Sequence, residues 1–355
     1  MPDGAVTVAI PVRDGGEPLH AVLAALARQT VPHELLVADS GSRDGSAALA
    51  REHGARVIEI APGDFAHGPT RNLLVAEARG AHVALLTQDA EPADERWLER
   101  LLAGFAFAPR VGLVYGPYRP RPGAPLAVRL ELDRWFRSLA PDGAARVDRL
   151  RDDERERVRR AIAAGAGGGV ASSLGELVGA RGFFTDANAC LARSAWEQVP
   201  YRRIDYAEDR ALALDMLAAG YAKVYVPDAA VLHSHAYSGA ESLRRAVDEW
   251  RGLADVYGWR EPLSPRRTLA QVRGELGAAR RELDGEGVRG AAAVRALAGV
   301  AGHHAVRRAG AILGSRADRM PTSVRRALSL ERRGRAGPPP LEDDASAVAR
   351  EEPPA

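Results

Sequence analysis

The sequence predicts an α/β fold with a mainly parallel sheet, and three observations carry that expectation. From Val6 to Tyr115, short β-branched runs alternate with amphipathic stretches, the pattern of successive βαβ units. The apolar residues of the intervening stretches recur at helical spacing. Polar residues stand where several strand runs end, which is where ligands of open α/β sheets bind.

The strand runs are Val6 to Val12, Glu34 to Asp39, Val57 to Ile60, His82 to Thr87 and Val111 to Tyr115. Between them Leu19, Val22, Leu23 and Leu26 share a helical face, as do Trp97, Leu98, Leu101, Leu102 and Phe105, and both stripes are expected to face the core. Residues 118–180 lose the alternation; they hold Trp135, Phe136, a charged helical run from Asp148 to Arg160 and the Gly-rich Ala164 to Ser173. That Gly-rich run lacks the Lys and Ser or Thr of a P-loop and is expected to be a flexible loop, placed by position as an active-site flap. Phe183 to Leu191 reads as a return to strand, Ala207 to Ala219 as a helix ended by Gly220, and Lys223 to Val226 with Ala230 to His233 as strands around Pro227. Beyond Ser238 the chain is Ala- and Arg-rich and helical to about Arg333, and residues 336–355 are expected to be disordered. The expected division is a catalytic domain over 1–238, a helical region over 239–335 and an acidic, Pro-rich tail over 336–355.

Composition narrows the function classes. A formal charge of +2 over 355 residues excludes a polyanion binder by bulk charge, yet residues 289–335 carry eleven Arg against Asp318 and Glu331. Such a basic amphipathic stretch can lie on an anionic membrane surface or pack against the rest of the chain, and the sequence leaves both open. Its few aromatics argue against nucleic acid. Lys223 is the only Lys, and the lone Cys190 excludes an intramolecular disulfide. No run approaches about 18 uninterrupted apolar residues, so a cytoplasmic, non-secreted chain is expected. A nicotinamide dehydrogenase is disfavoured, because no Gly-X-Gly-X-X-Gly follows the first strand.

The polar residues at strand ends are Arg13 and Asp14, then Asp39-Ser40-Gly41, then Asp89. Seen alone, Asp39-Ser40-Gly41-Ser42 equally reads as a turn capping the next helix. Glu208-Asp209 equally reads as an exposed acidic pair at a helix N-terminus, and His233 as a His that merely ends a strand. His235 alternates with His233 along an extended segment, so the two are expected on opposite faces, with only His233 reaching Asp89.

Taken together, these residues resemble an inverting family 2 glycosyltransferase of the GT-A fold, most closely its bacterial rhamnosyltransferase branch. The resemblance covers about residues 5–235. It rests on Ile10-Pro11-Val12, Asp39-Ser40-Gly41-Ser42 with Asp44-Gly45, the run Phe65 to Asn72, Thr87-Gln88-Asp89-Ala90-Glu91-Pro92, Glu208-Asp209-Arg210 and the run His233 to Ser238. It implies a GT-A type, Rossmann-like, mainly parallel sheet with flanking helices and a C-terminal helical extension. It further implies a nucleoside-diphosphate sugar donor, with L-rhamnose on dTDP first and UDP- or GDP-sugars or a catalytically silent nucleotide-binding component as alternatives. The acceptor would be a glycan or lipid-linked glycan, which brings contact with the inner face of the plasma membrane into view.

By the resemblance, Pro11, Arg13, Asp39, Ser40, His67, Arg71 and Gln88 would contact the nucleotide sugar, Asp39 at the base and Arg71 at a phosphate. Asp89 and His233 would hold Mg2+ or Mn2+. Asp209 would be the general base, with Glu208 beside it. Thr87 and Gln88 stand where many relatives carry a first Asp, so this chain offers one carboxylate where they offer two.

Overall fold

The aliphatic run of β1 (Val6–Val12) is buried at every residue but Pro11, as a strand covered by helices on both faces requires. The computed structural model describes residues 6–164, 172–235 and 237–330. After β1 come α1 (Gly16–Leu26), β2 (His33–Asp39), α2 (Ser46–Glu52), β3 (Arg56–Glu59), α3 (His67–Glu77), β4 (His82–Leu86), β5 (Glu91–Pro92), α4 (Trp97–Ala103), β6 (Val111–Tyr115) and β7 (Tyr118–Arg119). Then follow α5 (Leu126–Leu139), β8 (Arg146–Asp148), α6 (Asp152–Ala163), α7 (Ser172–Val178), β9 (Asn188–Ala192), α8 (Arg193–Trp196), α9 (Glu208–Ala218), β10 (Ala222–Tyr225) and β11 (Val231–Leu232). The helical region holds α10 (Gly239–Tyr257), α11 (Pro265–Gly285), α12 (Gly290–Gly314) and α13 (Thr322–Ala327).

Eight strands form the main sheet in the order β3-β2-β1-β4-β9-β6-β10-β8. Only β9 and β8 run antiparallel to their neighbours. One face buries Leu19, Val22 and Leu26 of α1 with Trp97, Leu98 and Leu101 of α4, so both predicted stripes face the core. The other face buries Leu74 and Val75 of α3 with Leu212 and Met216 of α9 and Phe136 of α5. The buried Asn188 fastens β9, accepting from Trp97 Nε1 at 2.8 Å and donating to the carbonyls of Pro117 and Ala229. The lone Lys223 is fully buried; its Nζ donates to Asp148 at 2.8 Å and to the Phe183 carbonyl at 2.7 Å, joining β10 to β8, and burial brings its pKa down to about 8.

A three-stranded sheet, β5-β11-β7, matters more for function. Antiparallel pairing sets Leu232 opposite Glu91, so the residues just before β5 and just after β11, Asp89 and His233, are brought together. Two sequence expectations change here. Residues 183–187 do not join the strand that was expected from Phe183, because β9 begins at Asn188. The stretch after residue 118, where no helix was expected before Asp148, contains the 14-residue helix α5. Residues 165–171 of the Gly-rich run, and the tail from 331, lie outside the described residues.

The helical region packs on the α/β half. Ala127 of α5 is buried with Ala279 of α11 and Val300 of α12. Arg307 of α12 bridges Glu131 of α5 and Glu249 of α10 at 3.0 and 3.1 Å. Part of the predicted Arg face is therefore spent on internal ion pairs. Among the described residues no helix is long and apolar enough to cross a membrane.

Candidate active site

The carboxyl ends of β1, β2 and β4 open into a cleft of 2650 Å³, walled on its far side by α5 and the C-terminal helices. Its near rim is built by hydrogen bonds between loops. Gln88 clamps Arg13, accepting from its N–H at 2.8 Å and donating to its carbonyl at 3.1 Å. The N–H groups of Asp14, Gly15 and Gly16 donate to Ser42, Ser46 and Asp44. The turn after β2 thus caps and also shapes the cleft. Asp39 Oδ2 accepts from the N–H groups of Gly41 and Ser42, both at 3.1 Å. Its buried Oδ1 has no hydrogen-bond partner in the structure, an unusual cost for a buried carboxylate unless a ligand donor completes it.

Asp89, His233 and His235 stand together in the cleft, each offering an atom within 4.8 Å of the others. His233 Nδ1 and His235 Nε2 each lie 3.5 Å from an Asp89 carboxylate oxygen, and the two rings are 4.7 Å apart. The expectation that His235 points away is corrected. The strand stops at Leu232, so the period-two alternation does not carry to residue 235. Burial lowers the pKa of His233, and burial with the adjacent His233 brings His235 to about 4. Burial would raise Asp89, but the two imidazoles and the Thr87 hydroxyl hold it below the usual range. Two neutral imidazoles and a carboxylate at this spacing fit a divalent cation.

On the opposite wall α9 begins with Glu208 and Asp209. Ala207 before them has φ 65°, a left-handed conformation that is strained for a residue with a Cβ. The strain is held from behind by α10. A Cβ on Gly252 would lie 2.8 Å from the Ala207 Cβ and 2.9 Å from the Tyr206 carbonyl oxygen. Asp209 is half-buried and lines the cleft. Burial first, then the Glu208 charge, raises its carboxyl to about 6, which suits a base working near neutrality.

Glu208 is buried and paired with Arg71 at 2.8 Å, with His67 at 3.9 Å. Arg71 is itself buried, and its Nε lies 2.7 Å from Asp186. Its guanidinium is committed to two carboxylates, so the expectation that it faces a phosphate gives way to one in which it holds Glu208 in place. Asp186, whose carboxyl burial raises to about 7, also accepts from the Tyr201 hydroxyl at 2.7 Å. It was not singled out from the sequence, where its one signal is a charge inside the apolar run Phe183 to Leu191. Two neighbours of Arg71 in the run Phe65 to Asn72 serve the same joint. Gly68 lets α3 approach the Arg202 carbonyl, where a Cβ would sit at 2.4 Å, and Asn72 bonds both the N–H and the carbonyl of Tyr201.

The family model for glycosyl transferase family 2 matches residues 7–152. The O-antigen chain rhamnosyltransferase RfbN of Salmonella typhimurium is 31% identical over 250 residues, which span 68% of this chain and 70% of that one. The chain belongs to glycosyltransferase family 2. A second Salmonella protein, the O-antigen chain rhamnosyltransferase WbaN of Salmonella anatum, is 28% identical over 222 residues, 61% of each chain. Among solved structures, the mannosyltransferase PcManGT of Pyrobaculum calidifontis, in complex with GDP-Man and Mn2+, superposes with a TM-score of 0.54 at 17% identity, covering 90% of this chain and 87% of that one. The GT-A type fold expected of this family 2 glycosyltransferase is the fold observed, with the helical extension included.

Proposed function

We propose that this glycosyltransferase moves L-rhamnose from a dTDP donor to a hydroxyl of a glycan or lipid-linked glycan, with inversion at the anomeric carbon. The observation that carries the reading is one cleft holding the Asp209 carboxylate together with the cluster of Asp89, His233 and His235. The rhamnose assignment is supported by the two Salmonella rhamnosyltransferases.

In this mechanism Asp209 accepts the proton of the acceptor hydroxyl as its oxygen attacks from the face opposite the diphosphate. Glu208, held by Arg71, stands beside Asp209, whose carboxyl is raised by burial and by that neighbour. The vacant Oδ1 of Asp39 accepts an N–H of the base, with Pro11, Arg13 and Ser40 around it. Asp89, His233 and His235 would hold Mg2+ or Mn2+, whose chemistry here is charge neutralisation at the diphosphate. Two imidazoles in the donor set favour Mn2+ of the pair. No covalent sugar intermediate is needed.

Thermal denaturation with dTDP, UDP and GDP in the presence of Mn2+ tests the donor. We expect dTDP to give the largest upward shift, since a ligand at 100 times its Kd adds about 2.7 kcal/mol. A larger shift with UDP or GDP would reassign the donor, and no shift with any of them would sink the transferase reading. For the acceptor side, Arg266, Arg273, Arg289 and Arg295 are exposed on the helical region, and we place them against an anionic membrane. Co-sedimentation with phosphatidylglycerol vesicles, but not phosphatidylcholine, is expected at low salt; equal recovery from both would remove the membrane from the picture.

A further inference from the structure

We propose that Trp135, backed by Phe183, is the platform on which a sugar ring of the acceptor rests, one subsite out from Asp209. The inference rests on the transferase reading and assigns residues to its acceptor side. Trp135 lies in the concave wall of the cleft yet is 40% exposed. Its indole meets Phe183 edge-on with ring centres 5.0 Å apart. Phe183 in turn carries the Arg210 guanidinium 3.9 Å from its ring centre. Arg210 directly follows Asp209, and its N–H donates to that carboxylate at 2.7 Å. Three contacts therefore lead from the base to the exposed indole.

A second route reaches the same place from the metal-ligand cluster. The His233 ring packs on Tyr118 at 4.8 Å, Tyr118 on Phe136 at 5.0 Å, and Phe136 on Phe183 at 5.9 Å. Tyr118, Phe136 and Phe183 are all at least half-buried. All four rings line the cleft, and Trp135 is the exposed one among them.

A pyranose has a face of C–H bonds and a rim of hydroxyls. The first suits an open aromatic surface and the second needs fixed polar groups nearby. Glu131, one turn before Trp135 on α5, lines the cleft and is held by His303 at 2.7 Å and Arg307 at 3.0 Å. The ion pair of Arg134 with Glu275 pins the same turn of α5 to α11. A platform fixed on both sides can hold a hydroxyl in line for attack, where small misplacements are costly.

The test uses the full chain with octyl α-L-rhamnoside, octyl α-D-mannoside and octyl β-D-galactoside as probes, read by saturation-transfer NMR, and measures dTDP, UDP and GDP binding in Mn2+ alongside. The native chain should saturate ring C–H protons of at least one glycoside. Trp135→Ala and Trp135→Leu should each weaken that binding about tenfold, Trp135→Phe should retain most of it, and nucleotide binding should be the same in all four proteins. Unchanged glycoside binding in the Ala and Leu variants overturns the proposal. So does saturation confined to the octyl chain, which would mark a lipid surface, or no saturation in the native chain. Failure of the native chain to bind any nucleotide is a separate result, and it counts against the transferase reading itself.

Discussion

Asp209→Asn should bind the donor nucleotide as the native chain does and transfer its sugar about 100- to 10,000-fold more slowly, the usual worth of a positioned general base. The native rate should rise with pH and level off above about 6, because burial and Glu208 raise the Asp209 carboxyl to that value. The groups acting on it are Glu208 and Arg210 from its own helix and Arg71 from α3, with Asp186, Tyr118 and Tyr257 close enough to interact. The residual activity of the Asn variant should lack this limb. Retention of a tenth or more of the native rate would remove Asp209 from the chemistry.

The same shift has a signature in stability, with a definite sign. Asp209 binds its proton more tightly in the fold than in the unfolded chain, where 3.8 is the ordinary value. Its contribution is therefore fully present below pH 3.8 and is lost as pH rises through about 6. Asp209→Asn, neutral at every pH, should melt higher than the native protein at pH 7.5 and close to it at pH 4. A carboxyl that the fold would rather keep protonated costs stability at neutral pH.

The second large effect concerns the cluster across the cleft. Asp89→Ala should abolish the Mn2+-dependent part of nucleotide binding, since it removes the only carboxylate of the three groups. His235→Ala should weaken Mn2+ binding by about tenfold or more while leaving nucleotide affinity without metal unchanged. Mn2+ titration followed by electron paramagnetic resonance reads both directly. Native affinity in His235→Ala would mean that its ring is there to pack on Tyr237, 4.8 Å away, and that His233 works with Asp89 alone.

Much of the fold was legible because its strands are covered on both faces. The bounds expected for β1 and β6 coincide with those observed, and those of β2, β3, β4 and β10 differ by a residue or so. Helix α5 was not legible. Its apolar residues serve two partners: Phe136 and Leu139 face the sheet core, while Leu126, Ala127 and Leu130 face α11 and α12. Val128, Leu132, Trp135, Phe136 and Leu139 do recur at helical spacing, but the second apolar face interrupts the polar side that would mark an amphipathic helix. In the site, the resemblance pointed to Asp89, His233 and Asp209, which the fold gathers in one cleft, but it could not say where a strand would end, and that decided His235. Arg71 was misread for a related reason. A guanidinium suits a phosphate and a carboxylate alike, and only the fold shows that Asp186 and Glu208 reach it first.

The contact at Gly252 has a consequence for anyone who would exchange parts of this enzyme. The boundary drawn at residue 238 is a change of composition, yet the backbone carrying Glu208 and Asp209 is braced by a residue beyond it, across a gap that admits a hydrogen and no methyl group. A chimera that keeps this donor half and borrows a helical region to reach a new acceptor must bring a glycine to that crossing. Without it, the graft would fold around an acid pair turned out of line.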